Sequence, residues 1–316
     1  MSQNVSQLAF VFPGQGSQAV GMITELAEAY PEEVCGAFAE ASLGAGVDLL
    51  EFAQHGPEET LNRTVNTQPA LLAASIAVWR IWKKLAGPMP TCMAGHSLGE
   101  YSALVAAGAL GLRDAAALVA ERGRLMQSSM PMGSGAMAAV LGAEEDLIAD
   151  VCAEVAEGQV VAPANFNAPG QVVIAGHAQA VSRALALLAK RGVRRVIPLP
   201  VSVPSHCELM REAASRLAER MAEISWKMPD IPVVQNVEAR AYGSVEYIHA
   251  ALERQLYMPV RWIDCMQTLI AEGMTRLAEC GPGKVLTGLA RRIDRSLDAR
   301  PLGTPSALQE ALEAWH

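Results

Sequence analysis

Residues 95–110 read GHSLGEYSALVAAGAL. The first five, Gly95-His96-Ser97-Leu98-Gly99, fit G-x-S-x-G, the sharp strand-to-helix turn that exposes a serine hydroxyl as a nucleophile. TCMAG (91–95) enters the turn as a short apolar strand, and 98–110 leaves it as a helix. Such an elbow needs small residues two before and two after the serine, and the two glycines supply them. The new helix points its positive end, and the amide of Leu98, at any oxyanion forming on a bound acyl group. The acyl group then passes to water or to a second thiol or alcohol. The elbow alone does not choose.

Working outward, LAFVF (8–12) is a fully apolar run ending in Pro-Gly, as a buried strand would be, with a helix expected over 18–30. QPALLAASIAVWRIWKKL (68–85) is apolar on most faces and reads as a core helix. Strand, Gly-rich turn and helix alternate in this way in α/β domains with a mainly parallel sheet. The middle of the chain has another rhythm. GAMAAVLG (135–142), QVVAPAN (159–165), QVVIAG (171–176) and RRVIPLPV (194–201) read as strands. EEDLIADVCAEVAEG (144–158) and AQAVSRALALLAKRG (178–192) read as helices between them. That order, βαββαβ, is the ferredoxin-like split motif. Its flanks, SSMPMGSG (128–135) and PLPVSVPS (198–205), have the Gly, Pro and Ser content of linkers. The expected division is an inserted domain over 128–199 within a discontinuous domain built from 1–127 and 200–316.

The 316 residues are 51% hydrophobic and 18% charged, a globular composition. Their net charge of −8 argues against nucleic acid as a partner, since phosphate binding needs a basic face. Two basic clusters stand out within that acidic total: Lys190, Arg191, Arg194 and Arg195, then Lys284, Arg291 and Arg292. Without a partner to explain them they read as solvated surface. The cysteines at 35, 92, 152, 207, 265 and 280 show no C-x-x-C, which suits reduced thiols in a cytosolic protein. The first residues carry no basic signal-peptide region, and the longest apolar runs are too short to span a bilayer. A cytoplasmic protein without membrane attachment is expected.

A serine nucleophile needs a base. His96 adjoins Ser97 and its side chain should diverge from it, a structural role. His206 is the better candidate. Ser205-x-x-Glu208 reads as a capping box opening the helix CELMREAASRLAERM, which would put His206 in its first turn. There the helix dipole would keep the ring neutral, as a base requires. On RDAAALVAERGRLMQ (113–127) the apolar stripe is Ala115, Leu118, Val119, Leu125 and Met126, and Arg122 falls in its middle. A guanidinium there demands a carboxylate, either from within the chain or from an acidic substrate. FPGQGSQAVGM (12–22) holds a partial dinucleotide pattern at Gly14, Gly16 and Ala19, but no strand ending in an acid follows its helix. Its other use is a backbone amide, such as that of Gln15, aimed at the oxyanion. CGPGKVLTG (280–288) lacks the Ser or Thr after Lys284 that a phosphate loop needs.

FVFPGQGSQ, TQPALL, GHSLGEYSALVAAGAL, ERGRLMQ, NFNAPGQVVIAG, PVSVPSHCELM, RQLYMPVRW and GPGKVLTGL occur here in sequence order. From about residue 8 to 292 the chain resembles the bacterial malonyl-CoA:acyl carrier protein transacylases. The resemblance implies an α/β-hydrolase-like domain with a ferredoxin-like insertion. It implies that Ser97 takes the malonyl group as an ester, that His206 is its base and later acid, and that Arg122 holds the malonyl carboxylate. Gln15 and Leu98 would donate backbone amides to the oxyanion, and the backbone carbonyl of Gln255 would orient His206. It further implies a coenzyme A thioester as substrate, no permanently bound cofactor, and service to fatty-acid synthesis. The acidic acyl carrier protein it implies as partner gives Lys190, Arg191, Arg194, Arg195, Lys284 and Arg291 a docking role. Gln235 and Met258 depart from the family pattern, which has asparagine there. A free-standing acyltransferase of a polyketide assembly line would share these residues. A serine thioesterase or esterase would instead place Asp or Glu beside His206, and a carrier-binding scaffold would not need the intact Ser, His and Arg set.

Overall fold

The computed structural model describes residues 7–131, 133–200 and 203–315. Its strands are β1 (Leu8–Phe12), β2 (Cys92–Gly95), β3 (Gly135–Leu141), β4 (Val161–Ala168), β5 (Gln171–His177), β6 (Arg195–Pro198), β7 (Val233–Val234), β8 (Arg276–Glu279) and β9 (Asp298–Pro301). They form a five-stranded sheet in the order β7-β2-β1-β8-β9 and a four-stranded sheet in the order β4-β5-β3-β6. Every pairing in the first is parallel and every pairing in the second antiparallel. The fold class is α/β, and the smaller sheet has the ferredoxin-like order.

The centre of the parallel sheet shows why the sequence folds this way. All five residues of β1 are buried, as a strand covered on both faces requires. Leu8, Phe10 and Phe12 point into a core with Trp79 and Trp82 of the helix Thr64–Lys84. Ala9 and Val11 point the other way, into a core with Trp262, Cys265 and Leu289. In the antiparallel sheet, Val140, Val172 and Ile174 pack under Ile148, Val151, Ala184 and Leu188 of two helices. The opposite face carries Met137, Ala164, Val173 and Ala175 and packs on Cys207. β4 of the smaller sheet is tied to the segment before the helix Trp262–Ala271: Phe166 N–H donates to the Val260 carbonyl and Val260 N–H to that of Ala164, both at 2.9 Å.

The expected elements are present with shifted bounds: the helix expected over 68–85 already begins at Thr64, and the strand expected over 159–165 runs on to Ala168. The helix expected over 18–30 covers only Thr24–Ala29, because residues 14–23 are held in tight turns. The elbow helix stops at Ala106, and the strand expected over 194–201 ends at Pro198. Met132, Val201 and Ser202, in the two expected linkers, lie outside the described residues. Among the described residues, no helix is long and apolar enough to cross a membrane.

Candidate active site

Ser97 sits between β2 and the helix Gly99–Ala106 with a left-handed φ of 52°. The glycines permit that turn by their lack of side chain. A Cβ on Gly95 would lie 1.9 Å from the Gly99 carbonyl carbon, and one on Gly99 would lie 2.0 Å from the Phe12 carbonyl oxygen. Ser97 Oγ and His206 Nε2 are 2.8 Å apart. His206 Nδ1 is 2.6 Å from the backbone carbonyl oxygen of Gln255. A carbonyl can only accept, so the proton is on Nδ1 and Nε2 is free to take one from serine. The acceptor for His206 is main chain, where the esterase reading requires a carboxylate.

The local reason for His206 differs from the sequence expectation. No capping box forms: Glu208 pairs with Arg211, and the helix begins only at Arg211 after a short 3-10 turn. His206 instead adopts a φ of 62° and donates its N–H to the Leu256 carbonyl at 2.9 Å. Burial, with the nearby charge of Arg122 second, pushes its pKa down to about 3. The ring is neutral because it is buried beside a cation.

Arg122 is buried and, among the described residues, forms no ion pair. Nη1 donates to Gln68 Oε1 at 2.7 Å, and Nη2 to Gln255 Oε1 at 3.0 Å and Ser97 Oγ at 3.3 Å. Its Nε has no partner. The internal carboxylate that sequence reasoning allowed as its mate is therefore missing at bonding distance among the described residues, and its hydrogen-bond partners are two neutral amides and the Ser97 hydroxyl. Arg122, Ser97 and His206 line a cavity of about 190 Å³ together with Gln15, Met137 and Val173. The inner face of the antiparallel sheet forms one wall. The N–H groups of Leu98 and Gln15 have no acceptor among the described residues. His96 also lines the cavity and bonds Asn167 Oδ1 of β4 through Nε2 at 2.8 Å.

All six expected residues thus converge, and sequence reasoning missed three more. Gln68 carries the guanidinium; a polar residue at the start of an apolar helix was its only signal. Glu100 and Asn236 are both fully buried behind Ser97. Asn236 Oδ1 accepts the Ser97 N–H at 2.8 Å, and Glu100 Oε2 accepts the Asn236 N–H at 2.9 Å. Gln235, beside Asn236, buries a side-chain amide with no partner. Met258 donates its N–H to Arg254 at 2.8 Å and leaves the Gln255 contacts in place.

A family model described as acyl transferase domain matches residues 9–299. A malonyl CoA-acyl carrier protein transacylase of Salmonella typhimurium is 54% identical over 310 residues, 98% of this chain and 99% of its own. The Bacillus subtilis protein of the same name is 44% identical over 310 residues, 98% and 97% of the two chains. A crystal structure of a malonyl-CoA:acyl carrier protein transacylase from Xanthomonas oryzae pv. oryzae superposes with a TM-score of 0.97 at 61% identity, covering 99% of each chain. A malonyl-transacylase in complex with a type II PKS acyl-carrier protein superposes with a TM-score of 0.96 at 51% identity, covering 98% and 100%.

Proposed function

The chain belongs to the acyl transferase domain family, and on that premise we propose that Ser97 and His206 carry its chemistry in two half-reactions. The enzyme is an acyltransferase that moves the malonyl group from malonyl-CoA to acyl carrier protein. In the first half-reaction His206 Nε2 takes the Ser97 proton, and Oγ attacks the thioester carbonyl. The N–H groups of Leu98 and Gln15 receive the oxyanion. The imidazolium then returns the proton to the departing coenzyme A sulfur, leaving a malonyl-serine ester. In the second, the carrier's phosphopantetheine thiol gives its proton to His206 and attacks the ester, and Ser97 leaves with that proton. This is ping-pong transfer. No step calls for a metal or resident cofactor.

The observation that carries this reading is the convergence on one oxygen of a neutral imidazole and a buried guanidinium with no carboxylate at bonding distance among the described residues. A malonyl group supplies that carboxylate in a bidentate pair. The test is mass measurement on the intact chain after exposure to malonyl-CoA or acetyl-CoA, with and without carrier. A malonyl adduct is expected that is absent in Ser97→Ala and moves to the carrier thiol on its addition. Arg122→Ala should lose the preference for malonyl over acetyl. Malonate released as fast without carrier as with it would point to the thioesterase reading instead.

Residues 128–199 are proposed as an inserted unit within a catalytic unit of 1–127 and 200–316; the separation of the parallel and antiparallel sheets supports this. Cytoplasmic location is proposed from the lack of any paired cysteine among the described residues. For the carrier, β6 is the free edge of the smaller sheet. It runs from exposed Arg194 and Arg195 toward Leu199, which lines the cavity. We place the acidic carrier there.

A further inference from the structure

We propose that Glu100 is a positioning residue of the transfer site, its buried carboxyl anchoring the two residues that clamp the backbone of Ser97. The inference rests on Ser97 being the nucleophile. A non-glycine residue at positive φ is strained and persists only where its surroundings over-determine it. Here the clamp is explicit. Ser97 N–H donates to Asn236 Oδ1 at 2.8 Å, and the Ser97 carbonyl accepts from Gln255 Nε2 at 2.9 Å. Both clamping residues are tied to one oxygen: Glu100 Oε2 accepts from Asn236 N–H at 2.9 Å and from Gln255 Nε2 at 3.0 Å.

The same Gln255 reaches the rest of the machinery. Its Oε1 holds Arg122 Nη2 at 3.0 Å, and its backbone carbonyl holds His206. Fixing Gln255 therefore fixes nucleophile, base and guanidinium relative to one another, although Glu100 touches none of the reacting atoms. A helix that only had to pack would carry an apolar residue at this fully buried position, since a carboxyl without an ion pair is costly there. Its second oxygen, Oε1, has no partner. A proton there leaves both Oε2 bonds standing, so the role is that of an acceptor in either charge state.

Two substitutions test it, read by single-turnover labelling of Ser97. Glu100→Ala removes the acceptor and should slow labelling by malonyl-CoA and by acetyl-CoA alike, by about 10²-fold, the scale of a small misplacement of a reacting group. The loss should fall on the rate constant rather than on KM. Arg122→Ala, in contrast, separates the two acyl groups. Glu100→Gln keeps an oxygen in the place of Oε2 and should restore labelling to within about tenfold of wild type. Glu100→Ala at wild-type rate, or a loss confined to malonyl, overturns the proposal. So does a folded Glu100→Gln as slow as Glu100→Ala, and where Glu100→Ala does not fold, a folded Glu100→Gln below the tenfold limit. Peptide mapping of the wild-type adduct separates the premise: a label away from Ser97 fells the nucleophile reading and this inference with it, whereas a label on Ser97 with unaffected variants fells this inference alone.

Discussion

His206 and Glu100 are titratable groups buried a few bonds apart, and their pKa values move in opposite directions, to about 3 and to about 7. Burial leads in both cases, disfavouring imidazolium in one and carboxylate in the other. For His206 the folded pKa lies below the ordinary 6.5, so the unfolded chain binds the proton more tightly. Its contribution to stability is complete above pH 6.5 and is lost as the pH falls toward about 3. Glu100 works the other way, its contribution complete below 4.5 and lost as the pH rises through about 7. Between these limits the two oppose each other. Removing the histidine unmasks the difference. Relative to His206→Gln, the wild type should lose about 3 kcal/mol of stability over roughly two pH units below 6.5, measured by urea unfolding. Residue by residue, the sequence exposed Ser97 through its flanking glycines and Arg122 through its place on an apolar stripe. His206 was found for the wrong local reason, since its neutrality comes from a buried neighbourhood and not from a helix end. Asn236 and Glu100 could not be read, because their partners lie 136 and 155 residues away along the chain.

At the scale of elements, the elbow is set by backbone approach. Gly95 lies against the Gly99–Glu100 backbone, and Gly99 lies against the end of β1. Gly95→Ala would press a methyl group into the Gly99 peptide, which cannot move without displacing Ser97. Destabilisation of about 1–3 kcal/mol is expected by urea titration, together with loss of Ser97 labelling, even though no catalytic atom is removed. This element was the most readable part of the chain, because strand, glycine pattern and helix all lie within a few residues. The ferredoxin-like order was readable for the same reason, each strand or helix showing its own periodicity. What periodicity does not encode is where an element ends. Tertiary contacts decided that for the helix at Thr24–Ala29 and for the residues around His206.

For the whole molecule, a net charge of −8 must coexist with the acidic carrier proposed as its partner. The basic residues are local, and several are already spent on neighbours: Arg191 pairs with Glu154, Arg292 with Gln171 and Arg291 with the Ala299 carbonyl. Arg194 and Arg195 are exposed at the start of the free edge strand β6, whose other end leads to Leu199 in the cavity wall. Reversing both to glutamate should lower kcat/KM for carrier protein by at least about tenfold at low salt, with the deficit shrinking as salt is added. Loading from malonyl-CoA alone should fall far less. Stopped-flow transfer at two ionic strengths reads both.

The oxygen that steadies His206 belongs to the peptide bond of residue 255, and every amino acid brings that oxygen with it. A triad whose third member is an aspartate can be broken there by a single codon change. Here the codon for residue 255 governs only the side chain that reaches Ser97, Arg122 and Glu100. The histidine's acceptor lies outside the reach of the genetic code, and only a change that moves the end of the helix Val245–Gln255 can take it away.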